Sequence, residues 1–187
     1  MSQPIQAVPL LAQQLADYQR RWPAETDTVR SFLALLEDPQ DPFLRERLEG
    51  HFTGAAWLVS ADGARILMTH HRKLERWLQL GGHADGDRDM AQVALKEAQE
   101  ESGLPGLSVE AGSIFDLDCH WIPERKGVPG HWHYDVRYVV RAGSDENYSV
   151  SDESHDLAWR RIDEVAQDSD ESLSRMARKW LGAVGAS

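Results

Sequence analysis

The sequence has few of the features that mark secreted or membrane-spanning proteins. Its single cysteine, Cys119, excludes an internal disulfide framework. No run of about 18 apolar residues is present to span a bilayer. Residues 1–21 lack the charged start and apolar centre of a signal peptide. We therefore expect a cytoplasmic protein that has no membrane partner.

Basic residues are also scarce. The 187 residues include 20 Lys and Arg against 31 Asp and Glu, and the formal net charge is −11. Nucleic-acid binding depends on Lys and Arg contacts to phosphates, so this balance disfavours a nucleic-acid partner. A small phosphorylated substrate is not excluded, because a bound metal ion can reverse the local sign of charge. The 41% hydrophobic and 27% charged residues are typical of a globular domain.

Residues 1–50 are predicted to form a helical N-terminal extension of three short helices. The first begins near Pro9 and ends at Pro23, and the second begins near Thr26. Their inward-facing residues are predicted to be Leu11, Leu15, Tyr18, Val29, Phe32, Leu33 and Leu36. The third helix is predicted from Asp41-Pro42 to Gly50 and includes Phe43, Leu44 and Leu48.

Residues 51–187 are predicted to form the main domain. Strands are expected at 55–59 and 66–68, joined by an Asp62-Gly63 hairpin turn, and then at 77–80, 109–121, 132–141 and 157–159. Helices are expected at 90–102, closed by Gly103, and at 163–167 and 171–181. Helices before, between and after the strands predict an α/β (α+β) fold with a mixed sheet.

One segment combines a glycine-rich loop with an acidic helix. Glu97, Glu100 and Glu101 stand at positions i, i+3 and i+4, so their carboxylates project from one helix face. Such like charges repel one another, and a divalent cation would convert the repulsion into coordination. A solvated acidic face is the alternative interpretation. The upstream glycines at 81, 82 and 86 favour the cation, because an exposed acidic helix needs no such loop.

This segment resembles the Nudix box. The box is a glycine, five residues, Glu, seven residues, Arg-Glu, an aliphatic, any residue, Glu-Glu, any residue, glycine and an aliphatic. It fits from Gly82 to Leu104 with its spacing intact. Arg88 departs from the pattern where the family has its first Glu, and Lys96 stands where the family has Arg. Beyond the box, the resemblance covers roughly residues 52–167.

The resemblance implies a Nudix-like α/β/α sandwich and a hydrolase that cleaves a diphosphate bond with Mg²⁺ or Mn²⁺ and water. By the match, Glu97 and Glu101 are metal ligands, and the Gly81 carbonyl adds an oxygen. Glu100 is a ligand or the general base. Some family members take a base from a later loop, where Glu153 is the candidate here, although a solvated loop carboxylate is an equal alternative.

Other residues are candidates for substrate binding. Arg72, Lys73 and Arg76 lie between two strands near the box, where they either hold phosphate oxygens or are merely solvated. His83 either lines the site or hydrogen-bonds its own loop. Two tryptophans, Trp121 and Trp132, could stack a base, but core packing is favoured for at least one of them.

A histidine pattern follows in a later strand. His131, His133 and Asp135 alternate, so their side chains face one side of the strand. With His120 on the preceding strand they could form a second metal site or a polar cleft wall. A solvent-facing strand surface is the commoner reason for such alternation and is the favoured interpretation here.

Three other functions compete with the hydrolase. A non-catalytic Nudix-like metabolite sensor would explain the changes at Arg88 and Lys96. An isomerase similar to isopentenyl diphosphate isomerase uses a cysteine beside the Gly-His pair, where this chain has Gly81. Cys119 would have to replace that cysteine from another strand. A purely structural acidic domain would leave the glycine loop unexplained. The expected partner is a small diphosphate-containing substrate, and the N-terminal helices would either cap the cleft or build a homodimer.

Overall fold

The computed structural model describes residues 7–71, 75–125, 127–150 and 154–185. Its helices are α1 (Ala7–Arg21), α2 (Thr26–Leu36), α3 (Met90–Ser102), α4 (Ile162–Val165) and α5 (Glu171–Gly185), with a 3₁₀ turn at Pro23–Glu25 between the first two. Its strands are β1 (Gly50–Val59), β2 (Arg65–His71), β3 (Arg76–Leu78), β4 (Leu80–His83), β5 (Ser108–Val109), β6 (Asp116–Ile122), β7 (His131–Arg141) and β8 (Ser154–Arg161).

The strands of the described residues form one mixed sheet. Its main path runs β3-β2-β1-β7-β5, while β4 also pairs with β1, β6 with β7, and β8 with β2. Only the β1–β7 pair is parallel among these strands, and it runs over ten residue pairs from Gly50↔Trp132 to Val59↔Arg141. Helices cover both faces of the sheet, which confirms the α/β/α sandwich predicted from the sequence.

The two faces of β1 explain why every one of its residues is buried. Gly54 faces α3 so closely that a Cβ there would overlap the side chain of Val93. The alternate residues Trp57 and Val59 pack on the opposite face, in one cluster with Trp180 of α5. Since side chains alternate along a strand, even-numbered residues of β1 face α3 and odd-numbered residues face the other layer.

Helices α1 and α2 share a core with the sheet. Their fully buried residues include Leu15, Tyr18 and Phe32, which belong to the same hydrophobic cluster as Phe52 of β1 and Val136 of β7. Leu33 and Leu36 are partly buried against this cluster, as predicted, and Leu35 is buried as well. The division of the chain into an N-terminal extension (1–50) and a main domain (51–187) remains a prediction.

The third predicted helix, from Asp41 to Gly50, is wrong. The chain forms successive turns there, and the Asp41 side chain accepts a hydrogen bond from the Phe43 backbone N–H at 3.0 Å. Only Phe43 of the three apolar residues is buried, while Leu44 and Leu48 are 40% and 49% exposed. An Asp-Pro pair begins turns as well as helices, and without a buried apolar stripe nothing stabilises the helix.

Two strands predicted as continuous are broken. The strand at 109–121 is divided into β5 and β6 by a turn in which Ala111 and Gly112 have φ values of 60° and 58°. The strand at 77–80 breaks at Gln79, because β3 pairs with β2 whereas β4 pairs with β1. The hairpin turn at Asp62-Gly63 is confirmed, with Gly63 at φ 73°.

A buried charged network ties α5 to the sheet and to the N-terminal helices. Asp116 of β6 has no exposed surface and accepts hydrogen bonds from Arg137 at 3.0 Å, Arg175 at 2.7 Å and Lys179 at 2.7 Å. Lys179 also donates to the Tyr18 hydroxyl at 2.6 Å. Burial alone would raise the pKa of Asp116, but these cationic partners hold it below its usual range.

Candidate active site

Helix α3 carries the acidic residues and has well-defined ends. Asp89 stands just before the helix and accepts a hydrogen bond from the Gln92 backbone N–H at 3.2 Å. Gly103 follows the last turn with φ 66°, which is the left-handed conformation that the sequence predicted for it. The helix is thereby fixed at both ends over residues 90–102, and its acidic side chains have defined positions.

Two of the three carboxylates lie against the glycines of β4. Glu101 is only 8% exposed and accepts a hydrogen bond from the Gly81 backbone N–H at 2.8 Å. A Cβ at position 82 would overlap the carboxylate of Glu97, so only glycine admits this approach. The glycine pair therefore brings the β4 backbone into contact with both carboxylates.

The third carboxylate is in a different environment. The Glu100 side chain is 59% exposed, and its nearest ionic partner is Lys96 at 3.8 Å, one helical turn earlier. A pair this long and exposed contributes little to stability. Of the three carboxylates predicted to share one face, Glu97 and Glu101 approach β4, whereas Glu100 is directed toward solvent.

The N-terminal segment contacts the loop that precedes α3. Arg88 forms an ion pair with Asp41 at 2.7 Å and lies over the ring of Phe43 at 4.8 Å. The Gly86 backbone N–H donates to the Phe43 carbonyl at 2.9 Å. These contacts explain the departure at Arg88, since a glutamate in its place would face the carboxylate of Asp41.

Some predicted site residues cannot be placed near these carboxylates. Arg72, Lys73 and Glu153 lie outside the described residues. Arg76 is described, and its side chain is 56% exposed and 3.8 Å from Asp170. It lines a cleft of about 230 Å³ together with Gln79 and His120. The predicted role of Arg76 in binding phosphate therefore remains a prediction.

The histidines of β7 do not lie on a solvent-facing surface, so the favoured interpretation of the alternating pattern is wrong. His131 is 8% exposed and Asp135 is 5% exposed. Asp135 accepts hydrogen bonds from Thr53 at 2.7 Å and Arg137 at 3.0 Å. The strand is buried on this face, and Asp135 is hydrogen-bonded both to β1 and to a residue of its own strand.

A histidine that the sequence analysis missed completes this cluster. His51 pairs with His133 across the parallel β1–β7 ladder, although the two are far apart in the chain. Its ring centroid lies 5.2 Å from that of His83 and 5.0 Å from those of His131 and His133. A lone histidine at the start of a strand gave no signal, because the pairing of β1 with β7 cannot be read from either strand alone.

Burial keeps several of these rings neutral. It lowers the pKa of His83 to about 4, with a further contribution from Arg45. It lowers the pKa of His133 to about 2, assisted by repulsion from the neighbouring histidines. The pKa of His51 is also lowered, chiefly by burial. These imidazoles therefore have lone pairs at neutral pH and do not attract anions by charge.

The expectation that at least one tryptophan of the β6–β7 hairpin packs in the core is wrong. Trp121 is 51% exposed and Trp132 is 42% exposed. They pair across the hairpin, edge to face, with ring centroids 5.4 Å apart. Both rings consequently offer aromatic surface to a ligand or to solvent.

Cys119 does not lie with the catalytic candidates. It is partly buried against the cluster that contains α1 and α2, and burial raises the pKa of its thiol. A thiol with a raised pKa is a weak nucleophile at neutral pH.

In the described part of the chain, no helix has both the length and the apolar character needed to cross a bilayer.

Comparisons with known proteins agree with this geometry. The family model of the NUDIX domain matches residues 50–181. The fold is similar to that of a NUDIX family hydrolase from Clostridium perfringens, with 21% identity, a TM-score of 0.53, and coverage of 70% of this chain and 95% of that chain. Among curated protein sequences, none matches this chain significantly.

Two further solved structures have the same fold. A C. elegans Ap4A hydrolase in a binary complex is 15% identical, with a TM-score of 0.56 and coverage of 73% of this chain and 98% of that chain. The dihydroneopterin triphosphate pyrophosphohydrolase of E. coli is 14% identical, with a TM-score of 0.53 and coverage of 70% and 95%. Because the family model matches most of the chain and spans the complete box from Gly82 to Leu104, the chain belongs to the NUDIX domain family and is a Nudix-type hydrolase.

Proposed function

We propose that the protein is a metal-dependent hydrolase that cleaves the diphosphate bond of a small nucleoside-diphosphate-linked metabolite. The observation that carries the proposal is the position of the Glu97 and Glu101 carboxylates against the glycines of β4. The names of two similar structures, an Ap4A hydrolase and a dihydroneopterin triphosphate pyrophosphohydrolase, support phosphoanhydride substrates.

The donor atoms at this position suit Mg²⁺ or Mn²⁺. Hard divalent cations prefer carboxylate and carbonyl oxygens, and Glu97, Glu101 and the Gly81 carbonyl would supply them. The absence of a side chain at Gly82 leaves the Glu97 carboxylate room beside the backbone. When bound, such an ion neutralises diphosphate charge and lowers the pKa of water.

The remaining catalytic roles, which are orienting a metal ligand and accepting a proton from water, fall to groups of the protein itself. The Gly81 N–H orients Glu101, so this carboxylate is fixed before substrate arrives. Glu100 is exposed and only weakly paired with Lys96, which leaves it available to accept a proton from the attacking water. Glu153 is the alternative base in this proposal.

Substrate recognition is proposed for charged and aromatic groups around the sheet. Arg72, Lys73 and Arg76 would contact phosphate oxygens through charge-assisted hydrogen bonds. His83 is neutral, so it would contact substrate as a hydrogen-bonding group. The exposed Trp121–Trp132 pair would stack on a nucleoside base.

The test measures phosphate-product release from a panel of nucleoside diphosphate sugars, dinucleoside polyphosphates and nucleoside triphosphates, with Mg²⁺ or Mn²⁺. Glu97→Gln, Glu100→Gln and Glu101→Gln are compared with the wild type. Glu164→Gln on α4 is the matched control, because it removes an exposed carboxylate that lies 3.6 Å from Arg161. We expect turnover to fall by at least about 100-fold in Glu101→Gln and to be unchanged in the control.

The sensor hypothesis gives the opposite result. It predicts no turnover on any compound, with ligand-induced thermal stabilisation still present. The Arg88–Asp41 ion pair already explains one of the two changes that suggested a sensor. Full activity in both Glu97→Gln and Glu101→Gln would refute the proposed ligand roles.

A further inference from the structure

Three histidines from separate parts of the chain meet on one face of the sheet. His51 begins β1, while His131 and His133 begin β7, and one ring nitrogen of each lies within 4.8 Å of the others. We call these three residues the histidine site. His51 and His131 are 2% and 8% exposed, so the site is largely removed from solvent.

Backbone carbonyls determine which ring nitrogen carries the proton in two of the rings. The His51 Nδ1 atom lies 3.1 Å from the Arg47 carbonyl oxygen, and the His131 Nδ1 atom lies 2.8 Å from the Pro129 carbonyl oxygen. A carbonyl oxygen only accepts hydrogen bonds, so Nδ1 must be the donor in both rings. Each Nε2 atom therefore has a lone pair directed away from the backbone, which is the arrangement of a metal-binding histidine.

These lone pairs are poorly satisfied by the protein itself. Within the described part of the chain, His51 Nε2 is buried and has no hydrogen-bond partner. The Nε2 atoms of His131 and His133 face each other at 3.1 Å, so the two share one proton at most. A buried acceptor without a donor costs roughly 1–3 kcal/mol, and a cation among the three nitrogens would remove that cost.

We propose that His51, His131 and His133 bind one transition-metal ion of the Zn²⁺ class through their Nε2 atoms. Tetrahedral zinc with bonds of about 2.0–2.1 Å needs nitrogens roughly 3.3 Å apart. The separations of up to 4.8 Å close to this value by small rotations of the rings. Water would supply the fourth ligand, since a zinc site with three protein ligands keeps one position open.

The chemistry of the donors separates this site from the carboxylates of the proposed active site. Mg²⁺ prefers oxygen ligands, whereas three imidazole nitrogens select zinc, copper, nickel or iron. The two sites also lie on opposite faces of the sheet, because Gly82 faces α3 whereas His51 and His133 lie on the odd-numbered face. The inference is therefore independent of the proposed hydrolase activity.

A second group of possible ligands, His70, Glu75 and His155, is less suitable. His155 already pairs with Glu75 at 3.0 Å, and their side chains are 44% and 68% exposed. An exposed ion pair of this kind needs no metal to satisfy it. This group provides the matched control for the experiment.

The test uses the full chain after removal of metal with EDTA and dialysis. Zn²⁺ binding is measured by calorimetry, and Co²⁺ is used as a second probe because its visible spectrum reports tetrahedral coordination. We expect one equivalent of Zn²⁺ to bind and to raise the melting temperature. His51→Ala and His133→Ala should weaken binding roughly 100-fold or more, since even outer-shell changes cost about 10- to 100-fold.

Two controls keep the result decisive. His155→Ala should bind Zn²⁺ like the wild type, and so should the double variant Glu97→Gln/Glu101→Gln. Circular dichroism in EDTA checks that each variant is folded. If His51→Ala does not fold, His133→Ala is used alone, because His133 is the less buried of the two positions. Unchanged Zn²⁺ affinity in folded His133→Ala, or loss of binding in His155→Ala, would overturn the proposal.

Discussion

The buried network around Asp116 predicts a large loss of stability on removal of a single charge. Asn at this position keeps the shape and one acceptor oxygen but leaves Arg137, Arg175 and Lys179 without their shared anion. Arg137 is 2% exposed and cannot regain water. Breaking a buried ion pair by removing one partner costs about 3–5 kcal/mol.

The measurement is thermal unfolding of Asp116→Asn at neutral pH, checked by urea denaturation. For a chain of 150–250 residues, 1 kcal/mol shifts the melting temperature by about 2–4 °C, so we expect a decrease of about 6–20 °C. Asp163→Asn is the control. It removes the same group from an exposed pair with Arg161, and such pairs contribute about 0–1 kcal/mol.

A melting temperature of Asp116→Asn within about 3 °C of the wild type would refute this reasoning. It would mean that the carboxylates which also pair with these cations, Asp118, Asp135 and Glu25, compensate for the lost charge. Equal losses in Asp116→Asn and Asp163→Asn would refute it too, because burial would then have no effect on the cost.

Three further changes have expected outcomes. Gly82→Ala should displace the Glu97 carboxylate, so hydrolase turnover should fall at least about 10-fold, whereas retained turnover would contradict the close approach. Gly103→Ala should lower the unfolding free energy by about 1 kcal/mol or more, because φ is 66° there; urea titration measures it. In EDTA, the unfolded chain protonates His83 and His133 below about pH 6.5 while the folded chain, with lowered pKa values, does not. Stability should therefore fall by roughly 4 kcal/mol between pH 7 and pH 5, and His133→Asn should remove about half of that dependence.

The sequence predicted the elements that local signals determine. The helix from residue 90 to 102, its closing Gly103 and the Asp62-Gly63 turn all depend on residues close in the chain, and the structure confirms them. The glycines at 81, 82 and 86 predicted that the loop backbone approaches the acidic helix, whereas the family resemblance alone singled out Glu97 and Glu101 as the metal ligands.

Several of the errors share one physical cause, which is that burial depends on distant partners. In the segment predicted as a third helix, Phe43 is buried while Leu44 and Leu48 are exposed, because Phe43 packs against Phe52 at a ring-centroid distance of 5.0 Å. His51 gave no signal of its own, since the parallel ladder that places it beside His133 joins strands far apart in the sequence. Which strands pair depends on the packing of the complete sheet, so the sequence of one strand does not predict its partner.

The contacts between the N-terminal segment and the loop before α3 bear on how this enzyme can be engineered or shortened. Asp41 and Phe43 precede the family-matched region, yet they hold Arg88 and Gly86 inside the box. A chain trimmed to residues 50–181 would leave Arg88 with neither its carboxylate nor its aromatic neighbour. In related sequences, a basic residue at position 88 should accompany an acidic residue at position 41, so that the two charges are inherited together. Grafting this box onto another scaffold would require the segment that precedes it.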